Sequence, residues 1–482
     1  MQPLQTTTNA NALSARISAL INANRPAAAR HLLAAVRRLV PPSPATTALS
    51  ARIALSEGDF PLALSELDEA VAQFPDDASL RKCRAEARLR SNDATGALAD
   101  AAEAVFLDRS DPAAKAMLGV VLLEHGRAGD ALVCLDEAVA AQPANPAFRR
   151  ALAVAQEASG DQDAALTTLR AAIAAAPCWA EPRNGAILVY SRRHDFTAAC
   201  RLAEEARLAG AADACTFGLL GHALSSLGRH AEAGEAYAEA LKLGPDDPYV
   251  RHMVAAAGIR PSAPRAPVEY VRTVFDGYAE RFEAHLIWLG YRVPGLIRAI
   301  LTRHLAIMRG DRLAPALDLG CGTGLVAVVL SDMQVGPLTG VDVSPRMLQV
   351  AAEKQLYDSL IEADLTAFLA EDTRCWRLIV AGDVLPYFGA LGELFSAVYR
   401  RLEPGGWFVF SVEELPPDQA TGGEGWALQR LARYAHSMDY VTTCAAAAGL
   451  RVITMDRQTL RYEADAPVAG VVSVLERPAD EC

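Results

Sequence analysis

Between residues 318 and 387 the chain carries four short stretches of the kind that handle small ligands. Asp318-Leu-Gly320-Cys321-Gly322-Thr323-Gly324 stands where a strand-like block gives way to a helical one. Glycines at such a junction let the backbone pass close to a bound molecule. Twenty-four residues after Asp318, Asp342 closes the next strand-like block within Gly340-Val-Asp342-Val343-Ser344. A carboxylate there can accept two hydrogen bonds from a vicinal diol. Glu362-Ala363-Asp364-Leu365 follows a third block, and Ala381-Gly382-Asp383-Val384-Leu385-Pro386-Tyr387 a fourth. A lone acid at a strand end is commonly no more than a cap for the next helix. The order of all four carries the argument.

The elements that must position these residues read as alternating strands and helices. Strands are expected at 314–320, 338–344, 359–365, 377–385 and 407–413, with helical segments at 323–333, 345–355, 366–372 and 391–402. This alternation implies a parallel sheet covered on both faces. A helix near 439–448 and strands at 451–462 and 468–477 follow. A hydride-transfer dinucleotide site prefers G-x-G-x-x-G. Counted from Gly320, the third glycine falls on Leu325. Counted from Gly322 it falls on Ala327, an allowed substitute, so that rival is weakened rather than removed.

The full pattern D-x-G-x-G-x-G resembles the first motif of class I, S-adenosylmethionine-dependent methyltransferases, and the strand order resembles their sheet, in which a terminal hairpin adds the last two strands. The resemblance implies that the loop Gly320, Cys321, Gly322, Thr323 and Gly324 meets the methionine end of S-adenosylmethionine and that Asp318 helps to hold it. It assigns Asp342 and Val343 to the ribose, Met347 to packing on adenine, and Ala363, Asp364 and Leu365 to the adenine edge, with Asp364 accepting from the exocyclic amine. Asp383 and Tyr387 fall where the transferred methyl group would lie.

Phe275, Tyr278, Phe282 and His285 repeat at helical spacing. This segment, RYAHS at 433–437 and LRYEADAPVAG at 460–470 resemble bacterial methyltransferases that carry tetratricopeptide repeats. By that analogy residues 270–294 form a lid, with Tyr278 and Arg292 near the methionine moiety. His436 and Tyr434 are the expected substrate-pocket residues, His436 as a general base for a hydroxyl or a protonated amine. Alignment of nucleophile, methyl carbon and sulfonium can also suffice without a base. The Asn/Asp-Pro-Pro-aromatic motif for base amines is absent, because Val384, Leu385 and Pro386 follow Asp383. No cysteine stands in the Pro-Cys setting of a pyrimidine-C5 nucleophile. An oxygen or nitrogen of a small-molecule or protein acceptor remains.

The first half is a repeat array. Ala29, Ala63, Ala97, Ala131, Ala165, Ala199 and Ala233 are spaced by 34 residues, and Val36, Ala70, Ala104, Ala138, Ala172, Ala206 and Ala240 follow seven later. Pro41, Pro75, Pro143, Pro177 and Pro245 come five further on, with Arg109 and Ala211 as exceptions. Asn24, Gly58, Asn92, Gly126, Gly160, His194 and Gly228 precede the first alanines by five. Gly, Asn and, less commonly, His tolerate the left-handed backbone that ends a helix. The alanines mark close helix crossings, and proline closes a helix. The pattern resembles the tetratricopeptide repeat, about seven units over residues 11–257, an α solenoid whose concave face implies a protein or peptide partner. A Pro-rich linker at 258–267 and a methyltransferase domain at 268–478 are expected to follow.

A net charge of −12 argues against a nucleic-acid groove over most of the surface. The start lacks a secretory pattern and no run of about eighteen apolar residues exists, so neither export nor a membrane span is expected. Nine scattered cysteines without a C-x-x-C pair suggest cytosolic thiols and give no zinc site. Lysine at only four positions beside abundant arginine suggests a GC-rich, bacterial genome. The rival class is a non-catalytic repeat scaffold with a cofactor-binding or inactive methyltransferase-like domain. The full set of Asp318, the three loop glycines, Asp342 and Asp364 speaks against decay.

Overall fold

The computed structural model describes residues 13–21, 25–39, 43–305, 313–333, 335–416, 419, 423–463 and 466–479. Asn24, Pro41 and Cys482 lie outside them. The chain forms two compact units, Met1–Leu227 and Gly228–Cys482. No helix among the described residues is long and apolar enough to cross a membrane.

In the first unit helices alternate in antiparallel pairs, from Pro44–Glu57 with Phe60–Gln73 to Ala180–Arg192 with Phe196–Leu208, and Ala214–Ser226 closes it. One left-handed residue turns each pair. Gly58, Asn92, Gly126, Gly160 and His194 have φ of 79, 64, 68, 90 and 57°. Ala29, Ala63, Ala97, Ala131, Ala165 and Ala199 are fully buried, as close helix crossings require. Pro75, Pro143 and Pro177 stand two residues beyond helices that end at Gln73, Ala141 and Ala175. A contact that the residue pattern does not announce completes this corner: an arginine six residues on donates to the proline carbonyl. Arg81 Nε reaches Pro75 O at 3.1 Å, Arg149 Nε reaches Pro143 O at 2.7 Å, and Arg183 does the same at Pro177. At the exception Arg109, the equivalent Lys115 pairs with Glu137 at 2.6 Å instead. At the exception Ala211, left-handed Gly210 (φ 64°) ends the helix.

The second unit opens with helices His230–Leu243 and Pro248–Ala256, which carry the last repeat signals. Tyr249 and His252 pack on Tyr270, with ring centroids 5.6 and 4.4 Å apart, and His252 Nε2 lies 3.0 Å from Ala432 O. Residues 258–267 form no helix and are held by backbone hydrogen bonds. Pro264 O accepts from the Gly389 and Ala390 amides at 2.8 Å, and the Ala266 amide donates to Tyr387 O at 2.9 Å.

The sheet comprises β1 (Ala316–Leu319), β2 (Leu338–Asp342), β3 (Ser359–Glu362), β4 (Trp376–Ala381), β5 (Leu402–Glu414), β6 (Trp426–Leu428), β7 (Tyr434–His436), β8 (Arg451–Glu463) and β9 (Ala466–Glu476). Parallel strands run β3-β2-β1-β4-β5, and β9 pairs antiparallel with both β5 and β8, giving the expected terminal hairpin. The short strands β6 and β7 were not anticipated; β7 pairs with the tip of β5 at Glu413 and Glu414. Leu317, Val341, Ile379, Phe408 and Phe410 fill the core between sheet and helices. Parallel strands buried on both faces read as continuous apolar runs, which is why these were legible.

Candidate active site

The site is built on the carboxyl ends of β1 to β4. After β1 the chain enters the loop with Gly320, Gly322 and Gly324 at φ of 67, 53 and 91°. Side chains seldom adopt this region. A Cβ at Gly320 would also stand 2.5 Å from Val384 Cγ2. The Gly320 and Cys321 amides donate to Val341 O at 2.8 and 3.1 Å, tying the loop to β2. Asp342 ties it again: its Oδ2 accepts from the Gly322 amide and its Oδ1 from the Ser344 amide, each at 2.9 Å. Burial raises the Asp342 pKa, against the pull of those amides. Asp318, fully buried, accepts from Tyr357 Oη at 2.7 Å through Oδ2, while its Oδ1 has no partner. Burial pushes its carboxyl up to about 7.

A cavity of about 280 Å³ opens over the loop. Of the residues expected at the cofactor, Gly320, Cys321, Gly322, Thr323, Asp342, Val343, Asp364, Leu365 and Asp383 line it, with Tyr278 and Tyr387. Asp318, Gly324, Met347, Ala363 and Arg292 lie outside its lining. Asp318 stands beneath the loop, Gly324 caps the helix Leu325–Leu330, and Met347 is buried on its own helix. Ala363 packs into the core, and Arg292 is exposed on the approach to the helix Val293–Leu305.

Asp364 is engaged on every side. Arg265 and Thr366 Oγ1 donate to it, as does the Ala367 amide at 3.1 Å. Burial works to raise its carboxyl, and these donors outweigh it and hold the pKa below the usual range. The four lid residues all line the cavity, but not from one continuous helix. The helix Val268–Asp276 stops at Gly277, a turn of 3-10 helix covers Ala279–Arg281, and Phe282–Trp288 continues beyond. Ser344 Oγ donates to Asp276 at 2.6 Å and Lys354 pairs with Glu283 at 2.7 Å, anchoring the lid to the cofactor strands.

His436 and Tyr434 must be reassigned. Both are fully buried and outside the cavity lining. His436 Nε2 lies 3.1 Å from Gly389 O and its ring stacks on Tyr440, and burial lowers its pKa to about 4. Tyr434 Oη donates to Ala263 O at 2.8 Å. Both are packing residues held by backbone carbonyls, so neither carries the base role forward.

The residues that the sequence did not reveal are Arg265, Tyr291, Arg433 and Arg461, all of which line the cavity. Arg461 on β8 is fully buried and donates from Nη1 to both Asp383 oxygens at 3.2 Å, from Nε to Glu463 at 2.8 Å, and from Nη2 to Glu413. Burial disfavours its charge, and the three carboxylates outweigh that and raise its pKa. Arg433 Nε lies 2.8 Å from Glu413, and its Nη2 pairs with Glu463. No strand was expected near 433, and Arg433 stands just before β7 (Tyr434–His436), so its side chain could not be assigned to a face from the sequence. Arg433 meets the cavity and Tyr434 does not.

Whether the domain's cofactor suits this cavity is answered by the residues present. A loop whose glycines hold left-handed backbone, an acid tied to it, and an unpartnered buried carboxylate oxygen beneath it fit a cationic nucleoside. Two regions of the chain match known families. Residues 289–455 match the family described as a methyltransferase domain. Residues 14–78, 48–114, 116–177 and 216–247 match tetratricopeptide repeats. A demethylmenaquinone methyltransferase of Chlorobaculum tepidum is 27% identical over 153 residues, covering 31% of this chain and 62% of that protein. A malonyl-[acyl-carrier protein] O-methyltransferase of a Marinomonas species is 31% identical over 122 residues, covering 24% and 44%. The chain thus spans less than two thirds of either relative. The crystal structure of a magnesium protoporphyrin IX methyltransferase from Synechocystis with bound S-adenosylhomocysteine is 15% identical, with a TM-score of 0.34 over 44% of this chain and 99% of that one.

Fold and site define a class I methyltransferase domain whose cofactor is S-adenosylmethionine. The chain is a tetratricopeptide-repeat protein carrying that domain.

Proposed function

We propose that this chain transfers a methyl group from S-adenosylmethionine to an oxygen or nitrogen of a small-molecule or protein acceptor. In this reading residues 11–257 recruit a protein or peptide partner and residues 268–478 perform the reaction. The observation that carries it is the meeting, in one cavity, of the glycine loop, Asp342, Asp364 and Asp383 beneath an aromatic lid.

When bound, the cofactor supplies a methyl group on positively charged sulfur. The loop amides and Asp318 would hold its methionine end, Asp342 its ribose hydroxyls, and Asp364 its adenine edge. Phe275, Tyr278, Phe282 and His285 exclude water over the loop. With His436 buried elsewhere, Asp383 is the group at the end of β4 able to take a proton. Alignment of the acceptor supplies much of the remaining rate. We place the chain in the cytoplasm, where Cys321, Cys375 and Cys444 stay as the free thiols seen here.

Calorimetric titration of the full chain with S-adenosylmethionine and S-adenosylhomocysteine tests the reading. Saturable binding of both is expected. A folded sample that binds neither would return the weight to a non-catalytic scaffold.

A further inference from the structure

We infer that the acceptor end of the cavity is built for an amine, and that the Asp383 carboxylate receives its ammonium group. The inference rests on the methyltransferase reading above and narrows its acceptor.

The first argument is charge. Asp383, Glu413 and Glu463 surround Arg433 and Arg461, three carboxylates to two guanidinium groups. The cluster therefore keeps one negative charge in excess. Arg461 is divided among three carboxylates, and Arg433 pairs with Glu463 and stands beside Glu413. Arg265, the remaining arginine in the lining, is committed to Asp364. That excess negative charge beside Asp383 favours a cationic acceptor over a carboxylate or phosphate.

The second argument is geometry. Asp383 sits in the left-handed region at φ 60°, held there by the hydrogen bond from its amide to Ser411 Oγ at 2.8 Å. Aspartate adopts this region more readily than most residues. Its carboxylate receives Arg461 through a single nitrogen at 3.2 Å to each oxygen. Charge-assisted pairs usually close to about 2.7–2.9 Å. Acceptor capacity is left over on a side chain that lines the cavity.

The third argument is the wall. Tyr291 and Tyr387 line the same cavity as Asp383, and the rings of Phe275 and Tyr387 meet nearly perpendicular with centroids 5.5 Å apart. Aromatic faces beside a carboxylate stabilise an ammonium ion and offer little to an anion. The proton balance is simple. One N–H of the ammonium breaks, its electron pair stays on nitrogen as the nucleophilic lone pair, and the proton forms an O–H on Asp383 before passing to solvent.

The test uses the full chain saturated with S-adenosylhomocysteine, with phenethylamine and phenylacetate as probes of equal ring and opposite charge. Phenethylamine should bind at least about tenfold more tightly than phenylacetate, and Asp383→Asn should weaken the amine at least about tenfold. Phenylacetate binding as tightly as the amine, no amine binding, or an amine affinity indifferent to Asp383→Asn each overturn the inference. If that variant does not fold, the wild-type comparison of the two probes decides alone. Failure to bind S-adenosylhomocysteine would remove the methyltransferase reading and this inference with it. Binding of S-adenosylhomocysteine without preference for the amine would remove only the latter.

Discussion

Asp342 and Asp318 are buried acids on adjacent strands, yet they are set for different tasks. Asp342 has both oxygens occupied by amides and still lines the cavity. Replacing it with Ala removes an ionised acceptor and strands the Gly322 amide. Hydrogen bonds to charged groups are worth about 1.5–3 kcal/mol, so affinity for S-adenosylmethionine should fall roughly 10- to 100-fold while circular dichroism stays unchanged. Undiminished calorimetric affinity would sink the ribose assignment. Asp318 predicts a pH dependence. Its folded pKa of about 7 lies above the unfolded value of roughly 3.9, so the folded protein holds a proton that the unfolded chain has released. This group's contribution to stability is therefore full below about pH 4 and declines as pH rises towards 7. A cationic ligand favours the ionised form, so affinity should rise with pH through about 7 and binding below it should release protons. Titrations in buffers of different ionisation heat measure that release. Asp318→Asn should abolish it.

Among the elements, the helical corners were legible because backbone sterics act locally. A residue with φ near +60 to +90° must be Gly, Asn or a tolerated exception, and it recurs every 34 residues. Gly160, at φ 90°, has open space where a Cβ would stand, so its cost on substitution is conformational alone. Gly160→Ala should destabilise the first unit by about 1–2 kcal/mol, read as a lower denaturation midpoint. The lid shows the opposite case. The spacing of Phe275, Tyr278, Phe282 and His285 marks one face correctly, but the break at Gly277 reorients the second helix without disturbing that face. At the start of β7, Arg433 meets the cavity and Tyr434 the core.

At the scale of the molecule, the change in composition after residue 257 does not coincide with the end of packing. Helices 230–243 and 248–256 belong to the second compact unit, and His252 links Tyr270 to Ala432 within it. A fragment of residues 258–482 should therefore unfold well below one of residues 228–482. Losing large buried rings costs about 3–5 kcal/mol, which for a unit of this size lowers Tm by roughly 6 °C or more. Equal melting points for the two fragments would show that those helices do not stabilise the catalytic unit.

The residues alone determined the repeat period, the left-handed corners, the strand order and the glycine loop with its acids. Each of these follows from local backbone chemistry or from apolar periodicity, and both are written along the chain. Tertiary structure alone decided which charges meet. Arg265, Asp383, Arg433 and Arg461 lie far apart in sequence, and only the pairing of β5, β7, β8 and β9 and the return of the 263–266 segment across Phe388 bring them to one cavity, with Glu413 and Glu463 behind the two last arginines. The same packing took His436 away from it: a buried imidazole beside a backbone carbonyl and a stacked ring looks, in one dimension, no different from a catalytic base.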